Sequence, residues 1–166
     1  MQKLVAALDA FSDWLGRSIA WLTLLMMLVT CIVVVVRYGF NMGSIALQES
    51  VVYLHGTIFL LGIGYTLRHQ GHVRVDILYE RFSPATRAIV DLLGTLLFLF
   101  PLAIFIFFSS VDYVAMSWSM QESSAQPGGL PGVFVLKTLI PVFAFFLFLQ
   151  GIAELLRSVM TLTGRH

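Results

Sequence analysis

Nine acidic residues, ten basic ones, four histidines and one cysteine are the groups with which this 166-residue chain could do acid–base, nucleophilic or metal chemistry. Their spacing withholds most of it. Cys31 stands alone in an apolar run, which excludes an intrachain disulfide framework and any paired-cysteine metal motif. It reads as a small packed or lipid-facing side chain. His55 is the only histidine well inside an apolar run, since His69 and His72 lie at the end of one and His166 is terminal. Haem held within a helical bundle takes two axial ligands from facing helices, so His55 reads instead as a packing residue hydrogen-bonded to a neighbour. Glu49, Asp91, Asp112 and Glu154 all lie toward the ends of apolar runs. A proton-coupled exporter needs a titrating acid near the centre of a span. No nucleophile stands beside a base, no glycine loop could cradle a phosphate, and no ligand cluster suits a metal. The chain reads as neither an enzyme nor a cofactor-binding protein.

The elements that position these residues are four apolar runs. The chain is 58% hydrophobic and 11% charged, with mean hydropathy +0.90, a balance that a water-soluble domain this small could not bury. Nineteen uncharged residues separate Arg17 from Arg37, and as a helix they extend about 28 Å, close to the hydrocarbon thickness of a bilayer. The run is long for a signal peptide, is followed by Arg37 and offers no small-residue cleavage site, so it reads as an uncleaved anchor. Eighteen uncharged residues lie between Glu49 and Arg68, and twenty between Asp91 and Asp112. The fourth run is interrupted only by Lys137 before Glu154. These runs predict an all-α membrane protein, a single membrane domain over 1–166 with spans at about 18–38, 50–67, 88–112 and 131–156.

Eight of the ten basic residues fall in the N-terminal tail, the loop between spans two and three, and the C-terminal tail. With four spans those segments share one side, so the positive-inside rule predicts both termini in the cytoplasm. Aromatic residues flank the spans as belts do, Trp14, Trp21, Tyr65 and Tyr79 at one side and Tyr38, Tyr53, Tyr113 and Trp118 at the other. Leu4, Leu8, Phe11 and Leu15 recur at helical spacing beside Lys3, Asp9, Asp13 and Arg17, predicting an amphipathic helix that lies on, or leads up to, the inner membrane face. The segment from Arg68 to Ser83 alternates charge with apolar residues and suits a second surface-lying element. Ser83-Pro84 has the form of an N-cap and first helical residue. Gln126-Pro127-Gly128-Gly129-Leu130-Pro131 is an outer loop that hands over to the fourth span, and Pro101 and Pro141 should kink spans three and four.

Arg37 and Glu49 flank the outer link between spans one and two, so equal depth predicts an ion pair between them, with independent snorkelling as the alternative. Lys137, about two turns inside the fourth helix, is expected to snorkel outward; the other reading faces it to Asp112, Glu122 or a partner protein. No basic face for nucleic acid exists. The expected surroundings are phospholipid.

The run Arg37-Tyr38-Gly39-Phe40-Asn41, then Glu49, Tyr53, Leu61-Gly62 and Tyr65, then Arg68 with His72-Val73-Arg74-Val75-Asp76, resembles the small membrane subunit of tripartite ATP-independent periplasmic (TRAP) transporters. Leu130-Pro131 and Pro141 fit the same pattern, which covers about Trp14 to Leu155. The resemblance implies a complex in a bacterial inner membrane with a large elevator-type subunit that carries substrate and sodium, and a periplasmic binding protein that delivers an organic acid. It marks Arg37, Glu49, His72, Arg74, Asp76 and Lys137 as candidate structural or interface positions. Two other classes compete with it. A small autonomous oligomeric channel or exporter lacks its central acid here, and a quinone-linked redox anchor lacks its paired histidines.

Overall fold

The structure is a computed structural model of the whole chain and describes residues 1–71, 79 and 81–164. Among the described residues there is no strand, and four helices are long and apolar enough to cross a membrane: α1 Gln2–Gly39, α2 Ile45–Arg68, α3 Pro84–Ser119 and α4 Val133–Leu162. Contacts between Asp9, Arg68 and Arg157 gather both termini and the end of α2 at one end of the bundle, called here the terminal end. The α1–α2 and α3–α4 links lie at the other, the loop end.

Each boundary has a local cause. Ser83 caps α3 by accepting a hydrogen bond from the Thr86 N–H at 3.2 Å, with Pro84 opening the helix. At the far end of α3, Gln121 takes φ +48°, and the N–H groups of Gln121 and Glu122 reach back to Trp118 O and Ser117 O at 3.2 and 3.0 Å. That is a Schellman closure with glutamine in the left-handed position glycine usually holds. α2 ends the same way on Gln70, at φ +52°. Pro131 precedes α4, whose N-cap is Gly132.

The N-terminal amphipathic stretch is not a separate surface helix. It runs without a break into the first span, giving α1 38 residues and a length of about 57 Å, well beyond the ~30 Å hydrocarbon layer. The counterpart expected between Arg68 and Ser83 falls mostly outside the described residues. Within α3, residues Thr95–Leu99 form a π-helical segment in which the Phe100 N–H bonds Thr95 O. Pro101 follows directly, and a widened turn relieves the clash its ring would make with the preceding carbonyls. Pro141 lies inside α4 without ending it.

α4 is the hub, packed against the other three helices, while α1 packs mainly on α2. Small residues allow the close approaches: Ala103, Ala144 and Ala153 are fully buried, and a Cβ at Gly151 would come within 2.6 Å of Leu99 and 2.8 Å of the Phe100 ring. What is buried and what is exposed invert the soluble pattern. Ser12, Thr95, Ser110, Ser117 and Gln150 are buried, whereas Trp21, Phe98 and Phe108 are 74%, 74% and 70% exposed. Large apolar side chains ring the outside because hydrocarbon is the solvent.

Candidate functional site

Two polar clusters fasten the helices, one at each end. At the terminal end Asp9 is the centre. Its carboxylate accepts both oxygens' worth of hydrogen bonds from Arg157 Nη2, each at 3.0 Å, and one from Gln150 Nε2 at 3.2 Å. Arg68 Nη1 donates to the Asp9 carbonyl at 2.5 Å and also pairs with Asp13, whose other oxygen meets His69 Nε2 at 2.9 Å. Gln150, 1% exposed, accepts the Ser12 hydroxyl at 2.6 Å through Oε1, and Arg157 turns as well to Glu154. Asp9, Ser12 and Asp13 share one face of α1, one turn apart, so this face locks α1 to α2 and α4 together. Tyr79, ahead of α3, donates to Asp91 within α3 at 2.6 Å.

The reading of the sequence missed this cluster. Asp9 and Asp13 read as charges of an amphipathic helix, and Glu154 as lying toward the end of an apolar run. The signal lay in equal depth: two carboxylates one turn apart on α1 stand level with Arg68 and Arg157 at the ends of two other spans. Gln150 and Ser12, polar inside otherwise apolar stretches, pointed the same way.

At the loop end the α3–α4 loop is tied down at three points. Glu49 of α2 accepts the Leu130 N–H at 2.6 Å and the Ser124 hydroxyl. Ser124 closes the loop on itself, its N–H bonding Leu130 O at 3.1 Å and its Oγ accepting the Gln126 N–H at 3.1 Å. A Cβ at Gly129 would collide with Ser124 and approach Glu49 Oε1 to 2.8 Å, so the loop lies against the carboxylate only because that position has no side chain. Glu122 bridges the two ends of the loop, accepting Lys137 Nζ at 2.5 Å and the Ser117 hydroxyl at 2.6 Å. The Lys137 ammonium, with Ser117 adding to it, holds the Glu122 carboxyl below its ordinary value. Lys137 also lies 4.1 Å from the centroid of the Tyr113 ring. Finally, Trp118 Nε1 donates to Thr138 Oγ1 at 2.8 Å.

Three expectations change accordingly. No ion pair joins Arg37 to Glu49 among the described residues; the carboxylate turns to the α3–α4 loop, and Arg37 is left exposed at the end of α1. Equal depth was right, but the direction around the helix axis decides the partner. Lys137 does not snorkel away, because Glu122 is delivered to it by the Schellman turn that ends α3. His55 is not hydrogen-bonded inside the bundle: it is exposed on α2, its ring 6.3 Å from that of Phe59. His72, Arg74 and Asp76 lie outside the described residues.

Neither the comparison with curated proteins nor that with solved structures gave a match. The family model of the DctQ component of tripartite ATP-independent periplasmic transporters matches residues 26–161. That stretch takes in most of the chain, from the middle of α1 to the last turn of α4, together with the whole loop-end cluster. With four membrane-length helices and this match, the chain belongs to the DctQ family, the small component of the tripartite ATP-independent periplasmic transporters.

Proposed function

We propose that this chain is the static membrane subunit of a TRAP transporter, bracing a large elevator-type subunit that moves an organic acid with sodium. A periplasmic binding protein would deliver that acid. Both termini lie in the cytoplasm of a bacterial cell in this reading, and the α3–α4 loop faces the periplasm, as the distribution of Lys and Arg requires. The observation that carries the proposal is where the polar groups go. Those that bridge helices are engaged with one another at the two ends of the bundle, around Asp9 and around Glu49 and Glu122, and near the middle His55 faces outward rather than into the bundle. A substrate path needs the opposite, free polar groups or broken helices near the midplane. Clasped ends suit a body that stays still while another moves, and the pinned loop suits a docking platform. Sodium and the acid are assigned to the large subunit, and this chain holds no cofactor of its own.

The test is genetic. Deleting this chain should abolish uptake of the acid, while the binding protein, purified from the same cells, holds its ligand with unchanged affinity. Uptake that persists without the chain would overturn the proposal.

A further inference from the structure

His55 is where the fold leaves a polar group without a partner in hydrocarbon. It stands ten residues from Ile45 and thirteen from Arg68, hence about 15 and 20 Å from the two ends of α2, near the middle of the membrane. An imidazole carries an N–H donor and a nitrogen acceptor, and at that depth acyl chains offer neither a donor nor an acceptor. Among the described residues the ring makes no hydrogen bond, and the aromatic ring beside it is that of Phe59, itself 64% exposed. Polar residues within membrane helices face protein. This one faces outward, so protein must cover it.

The neighbouring residues say what kind of protein. Gln48, Val52, His55, Phe59, Gly62 and Thr66 follow one another at spacings of four, three, four, three and four. That is the heptad seam of a left-handed helix pair. Val52 is 57% exposed, Gln48 and His55 are exposed, and a Cβ at Gly62 would meet nothing within 4 Å. The seam points away from the bundle, since Gly64, on the far side of α2, packs on Ser12 and Gln150. A glycine on an open face admits a helix backbone to close range. The groove of about 720 Å³ between α2 and α3, floored by Phe143 and Leu147, is lined by two carboxylates, Asp91 and Glu154, that already hold Tyr79 and Arg157.

We infer that the Gln48–His55–Gly62 seam of α2 receives a membrane-spanning helix of the large subunit, packed in left-handed fashion, with a hydrogen-bonding side chain or backbone group set against His55. This rests on the proposed function, because membership of a multi-component transporter family is what makes a second membrane protein, rather than a second copy of this chain, the expected occupant.

The experiment uses the complete transporter in native membranes. Val52→benzoylphenylalanine and Phe59→benzoylphenylalanine should photo-crosslink to the large subunit, and Phe105→benzoylphenylalanine and Phe108→benzoylphenylalanine, on the outward face of α3, should not. His55→Leu and Gly62→Leu should each lower co-purification of the two subunits by about three- to tenfold, His55→Gln should restore part of it, and the isolated variants should melt as the parent does. Crosslinks between two copies of this chain, or adducts with lipid alone, would overturn the seam. Co-purification without seam crosslinks would refute the seam and spare the scaffold reading. Loss of co-purification for the unaltered chain would refute both.

Discussion

The carboxylate of Glu49, near the start of α2, accepts a 2.6 Å hydrogen bond from the backbone N–H of Leu130, 81 residues further along the chain. A single side chain thereby fixes the loop that links α3 to α4. Glu49→Gln keeps one acceptor oxygen but loses the charge, so the loop should loosen: a protease added on the loop side should cut 121–132 faster, and the purified chain should melt at a lower temperature. Arg37→Ala should leave both unchanged, because Arg37 is not a partner of Glu49. Equal effects of the two substitutions would restore the ion pair between the helix ends.

Acid should release the neighbouring clasp. Glu122 titrates below its ordinary value of 4.5, chiefly because Lys137 donates to it and secondarily because Ser117 does. A carboxylate whose folded value is lowered contributes stability that is complete above its unfolded value and disappears as pH falls through the lowered one. The melting temperature should therefore be flat in this respect above about pH 5 and fall below it. Glu122→Gln should lower stability at neutral pH and flatten that acid limb. An unchanged acid limb in the variant would show that Glu122 is not the group responsible.

At the terminal end the most enclosed polar side chain is Gln150, 1% exposed between Ser12 and Asp9. Gln150→Leu strands the Ser12 hydroxyl and removes one of the hydrogen bonds to Asp9, which keeps Arg157, a loss of about 1–3 kcal/mol for a buried unsatisfied group and toward the lower figure for helix pairs in membranes. Ser12→Ala with Gln150→Leu should cost less than the two single losses added, since each removes the same bond. Unfolding in detergent measures this, and strict additivity would contradict the contact.

These examples mark how far the residues could be read without the fold. Four spans, the Ser83-Pro84 start of α3 and the turn-rich loop all follow from run lengths and local chemistry, which act within a few neighbouring residues. Depth was also legible: Glu49, Arg37, Glu122 and Lys137 all belong to the loop end, as their distance from the apolar centres says. Azimuth was not. Whether Glu49 faces α1 or the α3–α4 loop depends on how α2 is rotated against α1 and α4, and that is set by close approaches such as Gly64 on Ser12 and Gly56 on Leu136. The cluster around Asp9 needed the same knowledge, because its members come from three helices and lie up to 148 residues apart.

The proposed orientation rests on the placement of Lys and Arg and can be read by labelling. In a Cys31→Ser background, Ser123→Cys in the exposed α3–α4 loop should react with an impermeant thiol reagent in cells whose outer membrane is opened and inner membrane intact. Ser83→Cys, exposed at the start of α3, should react only after the inner membrane is broken. Labelling of Ser83→Cys alone in intact cells would invert the protein in the membrane.

Reconstitution puts the scaffold role to its most direct measurement. Liposomes holding this chain alone should take up no organic acid under an inward sodium gradient, because the polar groups between its helices are committed to one another at the bundle ends and His55 faces outward. Uptake should begin only when the large subunit shares the bilayer and the loaded binding protein is outside. Sodium-driven uptake by this chain alone would contradict the account and make it a transporter in its own right.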